Sequence, residues 1–490
     1  MYTLMLVAFV IGYLGIALEH PLKIDKAAFA VLTGVVCWTL LVIGQDQILP
    51  DSKRFQDYSH EHHILAAAEG HSAETSDNVH EMDASHSEGS DHATEGTHTE
   101  AAGGHSLKEE FIEHDLLEHL GEIGAILFFL LGAMTIVELV DAHEGFRVIT
   151  DRITTTNKVK LLWIVSIVTF FFSAALDNLT TSIVMAALLP KLIRKRQDLW
   201  FFAGMVVIAA NAGGAWSPIG DVTTIMLWIG GQVTAANIIV KDFIPSIVCL
   251  LVPLLISSVM LKGDVERPDA DAGSHMTPPI ENWEQLLIFW LGVGGLLFVP
   301  VFKTVTHLPP YLGVMFSLGL IWVVTEVLHR RRTPVEQRSS LLVSKVLQKV
   351  DTPSVLFFLG ILLAVASLQT AGHLAALATS MDTAFSGDIY TINILIGLLS
   401  SIVDNVPMVA AAIGMYPLDV YPVDDPFWEL LAYCAGTGGS ALIIGSAAGV
   451  AIMGILKIDF VWYLRKISWL ALAGYLAGVA TYWLQEMIIG

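Results

Sequence analysis

Charge is scarce in this 490-residue chain: Asp, Glu, Lys and Arg make up 15% of it, against about 25% in a soluble globular domain. With 54% hydrophobic residues, that shortage excludes a water-soluble globule and predicts an all-α polytopic membrane protein. Cysteine is nearly absent. Cys37, Cys249 and Cys434 lie singly in apolar runs, so no disulfide framework or metal-ligand spacing exists, and the three read as small buried hydrophobes. The apolar runs hold no nucleophile–base pair and no metal motif, which argues against an enzyme and against a bound cofactor. The N-terminal stretch lacks a basic leader and an Ala-x-Ala cleavage site and reads as a retained span. The formal net charge of −21 comes mostly from one loop and from short acidic connections, so nucleic acid is excluded as a partner. The lipid bilayer and small cations remain.

Apolar runs place spans at about 2–19, 27–45, 121–141, 200–229, 239–261, 283–301, 310–328, 354–372, 428–453 and 462–485. Between the third and fourth span of each half lies a different element, at about 160–192 and 388–415. Each is two short apolar runs around a polar centre, and the runs fall short of the roughly 20 residues an α-helix needs to cross a bilayer. That pattern predicts re-entrant hairpins. A hairpin that does not cross leaves five crossings per half, so the halves are expected to be inverted repeats, the architecture of secondary transporters. The connections on one face carry 21 of the 26 lysines and arginines, leaving Lys53, Arg54, Lys108, Lys241 and Lys303 on the other. The positive-inside rule makes the basic face cytoplasmic and puts both termini outside. The expected division is 1–45 (two spans), 46–110 (an external insert), 111–262 (the rest of the first repeat), 263–282 (a cytoplasmic linker) and 283–490 (the second repeat).

The hairpin centres read Ser173-Ala-Ala-Leu-Asp177-Asn178-Leu-Thr180 and Ser400-Ser401-Ile-Val-Asp404-Asn405, with Ser and Asp four apart in both. An acid at membrane depth is costly without partners and is a functional-site candidate by default. Two further segments are Gly-rich: Asn211-Ala-Gly-Gly-Ala-Trp-Ser-Pro-Ile-Gly-Asp221-Val-Thr223-Thr224, and Gly436-Thr-Gly-Gly-Ser440-Ala-Leu-Ile-Ile-Gly-Ser446. They begin 34 residues after Asp177 and 32 after Asp404. Such stretches break helices, and unwound backbone is tolerated in a membrane only against a cavity or other protein. Carbonyls, hydroxyls and carboxylates are hard oxygen ligands suited to a small hard cation. Two nearby acids do not both ionise cheaply unless a cation sits between them. A site that takes a proton or Na+ on the same oxygens is therefore an exchanger, with Asp177 and Asp404 the expected Na+ and proton carboxylates. Asp221, Thr223 and Thr224 complete the shell or relay the proton. Asp221 also reads as a helix cap.

The insert holds nine histidines, His60, His62 and His63 first among them, among acids, Ser, Thr and Gly. It is too polar to bury a core and reads as a solvated spacer or, because His titrates near neutral pH, as a metal-collecting or pH-sensing segment. Residues 109–120 predict a polar helix on the outer surface.

The order of hairpin, Gly-rich break, inverted hairpin and Gly-rich break resembles the ion transporter superfamily. Within it LGAMTIVELVDAHEGF (131–146), SAALDNLTTSIVM (173–185), NAGGAWSPIGDVTT (211–224), SSIVDNVPMVAA (400–411) and GTGGSALIIGSAAG (436–449) closely resemble NhaD-type sodium/proton antiporters. The resemblance covers nearly the whole chain outside the insert. It implies Na+ or Li+ expelled in exchange for protons for sodium and pH homeostasis, a plasma (inner) membrane of bacterial type, a homodimer and an elevator-like movement. By motif it carries site roles to Ser173, Asp177, Asn178, Asn211, Asp221, Thr223, Thr224, Ser400, Asp404, Asn405, Ser440 and Ser446. Dicarboxylate relatives carry Ser-Asn-Thr at both tips, and Asp-Asn here favours cations. The rival readings are an oxyanion or dicarboxylate transporter of the same fold and a metal-sensing receptor built on the His-rich insert.

Overall fold

The computed structural model describes residues 1–17, 22–60, 107–146, 153–267, 280–329, 341–402 and 404–489. Eighteen helices of seven residues or more are named below, a further helical stretch covers 53–60, and no strand occurs among the described residues. They are α1 (Tyr2–Ala17), α2 (Lys26–Ile43), α3 (Leu107–Ala142), α4 (Lys158–Leu176), α5 (Asn178–Leu192), α6 (Arg196–Ala215), α7 (Val222–Ile229), α8 (Ala235–Met260), α9 (Asn282–Thr306) and α10 (Pro310–His329). The rest are α11 (Thr352–Thr370), α12 (His373–Phe385), α13 (Ile389–Leu399), α14 (Asn405–Met415), α15 (Pro426–Gly438), α16 (Ala447–Leu456), α17 (Phe460–Lys466) and α18 (Ser468–Ile489). Eight of the described helices are long and apolar enough to cross a membrane, or nine if the bent pair α16–α17 is one span. Large side chains such as Val259, Val305, Val240 and Ile43 stand exposed on their outer faces, as a lipid-facing surface requires. The protein is a multi-pass membrane protein.

Four expectations need correction. The polar stretch 109–120 is not a separate surface helix: it continues into the third span as the single 36-residue α3, since no Gly-Pro signal interrupts it and Gly121 and Gly124 face open space. The first arm of the first expected hairpin is the 19-residue α4, long enough by length alone to span, while α5, α13 and α14 are shorter, at 15, 11 and 11 residues. Helix α12 was not anticipated; Gly372 in the left-handed conformation starts it and Ser386 in the same conformation ends it. The two breaks are narrower than the Gly-rich stretches, as described below.

The apolar interior forms two adjoining clusters. One is built from α1–α3, α7, α9–α12 and α14 and includes Leu176, Val222 and Val406. The other is built from α4–α6, α8 and α16–α18 and includes Phe170, Ala212 and Ile443. Both draw on α13 and α15. The polar site lies on the seam between them.

Candidate functional site

Two helices lead into the seam and both stop there. Helix α6 runs to Ala215 and the chain resumes as α7 at Val222; α15 runs to Gly438 and resumes as α16 at Ala447. The breaks thus span 216–221 and 439–446, so Asn211, Gly213 and Gly436 are still helical, against expectation. Glycine here is used for close packing more than for unwinding. A Cβ on Gly213 would run into the Phe170 carbonyl on α4, and one on Gly438 into the Gly397 carbonyl on α13. The serines repeat the correspondence. Ser173 Oγ donates to the Ala210 carbonyl at 2.5 Å, and Ser400 Oγ donates to the Ala435 carbonyl at 3.1 Å and to Gly397 at 2.8 Å. The first halves α6 and α15 pack on their own neighbours α4–α5 and α13–α14, while the second halves cross over, α7 onto α14 and α16 onto α5.

This crossing brings all four expected segments together around one carboxylate, Asp221, which is 1% exposed. Asp221 caps α7, accepting the Thr223 backbone N–H and hydroxyl at 3.0 Å each on Oδ1, and Thr224 closes a capping box on its backbone. Its Oδ2 accepts the Asn178 side-chain amide at 2.5 Å. The Asn405 amide lies 3.3 Å from both oxygens. Asn178 also donates to Asn211 Oδ1 at 3.1 Å, and Asn211 Nδ2 reaches Ser440 Oγ and Ser446 Oγ, each at 2.9 Å. One continuous set of hydrogen bonds therefore runs Asn405–Asp221–Asn178–Asn211–Ser440/Ser446. Two neutral amides and the start of a helix dipole hold the carboxylate, and no protein cation touches it among the described residues.

The two tip acids flank Asp221 and both act on it electrostatically, but neither touches it. Asp177 caps α5, with Thr180 N at 2.7 Å and Thr180 Oγ1 at 2.9 Å. Asp404 accepts the Val406 N–H at 3.4 Å and an ion pair from Lys26 Nζ at 3.2 Å; the Lys26 ammonium also lies 4.2 Å from the centre of the Phe357 ring. Lys26 is the residue that sequence reasoning missed. It stands at the start of an apolar run, where a lysine reads as a boundary charge, and only the fold brings it to a tip 378 residues on. Ser217 was missed too; its hydroxyl donates to the Ala174 carbonyl at 2.6 Å and ties the first break to α4.

A cavity of about 230 Å³ opens beside α7 and α14, between Met226, Ile229, Ala410 and Ile413, with His119 and Glu122 of α3 also on its wall. Among the described residues no group of three or more His, Cys, Asp or Glu side chains is placed to hold a metal ion. His60 is described and exposed; His62, His63 and the rest of the insert's histidines lie outside the described residues.

The citrate-transporter family profile matches residues 4–436. The chain is 50% identical over 371 residues to sodium/proton antiporter 1 of Arabidopsis thaliana, covering 75% of this chain and 63% of that relative. It is 46% identical over 379 residues to sodium/proton antiporter 2 of the same plant, covering 76% and 88%. It is 31% identical over 414 residues to the Na(+)/H(+) antiporter NhaD of Halomonas elongata, covering 78% of each. The chain thus spans less than two thirds of the first of these relatives and more than two thirds of the other two.

Proposed function

The chain belongs to the citrate-transporter family and within it to the NhaD-type sodium/proton antiporters, and from that premise we propose that it exports Na+ or Li+ in exchange for protons. It is a transporter and not an enzyme; the ions are its substrates and the chemistry calls for no cofactor. The observation that carries the reading is that both tip asparagines, Asn178 and Asn405, donate to the one carboxylate of Asp221.

The cation is bound by Asp177 and Asp404 with Asp221 between them. Asn178, Asn405, Asn211, Thr180, Thr223, Thr224, Ser173, Ser400, Ser440 and Ser446 are the neutral ligands or fix their positions. Three acids in one seam, two of them buried and Asp404 largely so, repel one another unless a cation or protons neutralise them, so Na+ and protons compete for the same oxygens. The matched packing of Gly213 on Phe170 and Gly438 on Gly397 supports two inverted repeats, 1–262 and 283–490, around linker 263–282, each with a hairpin and a broken helix. The first repeat contains the insert 46–110. The basic face is cytoplasmic, both termini face outward, the membrane is of bacterial plasma-membrane type, and the working form is a homodimer.

The family's citrate description favours one other reading, an anion carrier. Three acids at the seam oppose it, because a dicarboxylate there meets like charge. Proton movement in everted vesicles decides: addition of Na+ or Li+ is expected to move protons, and citrate, succinate or arsenite is not. Proton movement driven by an anion and not by Na+ overturns the proposal.

A further inference from the structure

A second buried acid lies outside the exchange site. Asp242, in the second turn of α8, is fully buried, and neither of its oxygens accepts a hydrogen bond from any described group. Ser246, one turn further on the same face, also has an unpartnered buried hydroxyl. Between them Pro245 removes the backbone N–H that would bond the Lys241 carbonyl, and the Gln485 amide of α18 takes that carbonyl instead, at 3.0 Å.

Asp242 faces another acid. Glu429, at the start of α15, is 1% exposed and bears electrostatically on Asp242. Glu429 is fully provided for: Tyr482 Oη donates to one oxygen at 2.5 Å and the Asn237 amide donates to the other. Lys241 is turned toward the rim and pairs with Glu486 at 2.6 Å. The charged and titratable groups around Asp242 are therefore Glu429 and Cys434 from α15, Tyr482 and Glu486 from α18, and Lys241 from α8 itself, with Tyr390 of α13 near Glu486 and Lys241. Three acids share one lysine, and the acid with no donor is the one furthest from neutralisation. A buried carboxylate without a donor or counter-charge is strongly disfavoured; the carboxyl form is not.

We propose that Asp242, set against Glu429, is a proton-binding site separate from the exchange site, loaded from the face where α18 ends. The proton comes from solvent past the Lys241–Glu486 rim, protonates the Asp242 carboxylate and returns by the same route. Both oxygens of Glu429 already accept hydrogen bonds, from Tyr482 and Asn237, so the proton goes to Asp242. Glu429 lies seven residues before Gly436 on α15, about 10 Å along a helix, so the protonation state of the pair acts on the helix that ends at the second break. Only this effect on transport rests on the antiporter reading.

Infrared spectra of the full-length protein in lipid, taken across a pH series, test the site without transport. The wild type is expected to show the carbonyl stretch of a buried protonated carboxylic acid that is lost in Asp242→Asn and kept in Asp221→Asn. Glu429→Gln removes the like charge, so the Asp242 band should disappear at lower pH, by about one unit; this variant decides if Asp242→Asn does not fold. In vesicles, Asp242→Asn should shift the pH of half-maximal exchange by about one unit. The proposal fails if the band persists in Asp242→Asn, if Glu429→Gln leaves its pH dependence unmoved, or if Na+ at constant pH removes it, which would make the site a cation site. Wild-type vesicles that show no Na+-driven proton movement defeat the antiporter reading alone and leave the infrared result standing.

Discussion

The two tips carry the same Asp-Asn pair and are held by different means. At the first, Asp177 has φ +80° and ψ 161°, a region that costs a non-glycine residue about 1–3 kcal/mol, and neutral donors from Thr180 surround its carboxylate. At the second, Asp404 has φ −42° and ψ 137°, a single long backbone bond and a lysine. The asparagines differ in the same direction. Asn178 is fixed by a 2.5 Å bond to Asp221 and a further bond to Asn211, whereas Asn405 straddles Asp221 at 3.3 Å. Repetition of a motif thus gives the same residue pair two backbone geometries and two degrees of restraint. The tightly bonded tip is suited to hold the site's shape. The tip held by charge is suited to exchange one cation for another, because the Lys26 ammonium already lies 3.2 Å from the carboxylate to which the proposed function assigns Na+.

The strongest way to break this comparison is to remove the carboxylate both tips share. Asp221→Asn places an amide against two amides, removes the charge and leaves one acceptor oxygen where the two donors had two. Breaking one side of a buried charged network costs about 3–5 kcal/mol, which is more than about 100-fold in binding. Na+-driven proton movement in everted vesicles should be lost, while the protein still inserts and purifies as a folded species. Asp177→Asn and Asp404→Asn should each abolish exchange too. Retained exchange in Asp404→Asn alone would make the second tip structural and leave the first to do the work.

Lys26→Met sharpens the contrast. Methionine's unbranched apolar side chain keeps most of the packing on Phe357 and removes the tethered cation from Asp404. Both side chains are largely buried, 17% and 10% exposed, so solvent screens the pair only in part. The Na+ concentration giving half-maximal exchange should fall, by up to about tenfold, the equivalent of 1.4 kcal/mol. A rise would mean that Lys26 positions Asp404 for Na+ and does not compete with it. The matching change at the first tip is Thr180→Val, which leaves the backbone N–H on Asp177 and removes the hydroxyl. One hydrogen bond is worth about 1 kcal/mol, so Na+ affinity should drop only about fivefold, in the direction opposite to Lys26→Met.

Much of this was legible in the chain. Apolar length located most of the long helices, although ten spans are expected and eight or nine of the described helices qualify, and an acid between two short apolar runs marked a junction between helices in each half. What periodicity cannot give is contact between distant segments. Asp221 read as a cap, which it is, and nothing in 211–224 reveals that amides 43 residues before it and 184 after it close on the same carboxylate. Lys26 was hidden for the same reason. The glycines misled in a definite way: glycine in a polar stretch reads as a break, but Gly213 and Gly438 lie within helices because neighbouring carbonyls come too near for a Cβ. The continuity of α3 was missed because a polar-to-apolar change in composition marks a membrane boundary, not the end of a helix.

The smallest expected difference separates two serines that look alike. Ser440 and Ser446 each accept a hydrogen bond from the Asn211 amide at 2.9 Å, and that amide is the link between the first tip and the second break. Either alanine leaves Asn211 Nδ2 with one acceptor, so each should weaken Na+ binding by a similar factor, about fivefold for one neutral hydrogen bond. Ser446 has a second task. It is the N-cap of α16, accepting the Gly449 N–H at 3.2 Å, and loss of a serine cap costs about 1 kcal/mol. Ser440 caps nothing, although its carbonyl accepts the Tyr463 hydroxyl at 2.9 Å, a bond that alanine keeps. Thermal unfolding in lipid should therefore begin at a lower temperature in Ser446→Ala than in Ser440→Ala, with equal effects on Na+ affinity. If Ser446→Ala unfolds like the wild type yet loses exchange, its hydroxyl serves the ion and not the helix, and the second break is a ligand in its own right. If both variants bind Na+ as the wild type does, the link through Asn211 is dispensable and the two tips meet at Asp221 alone.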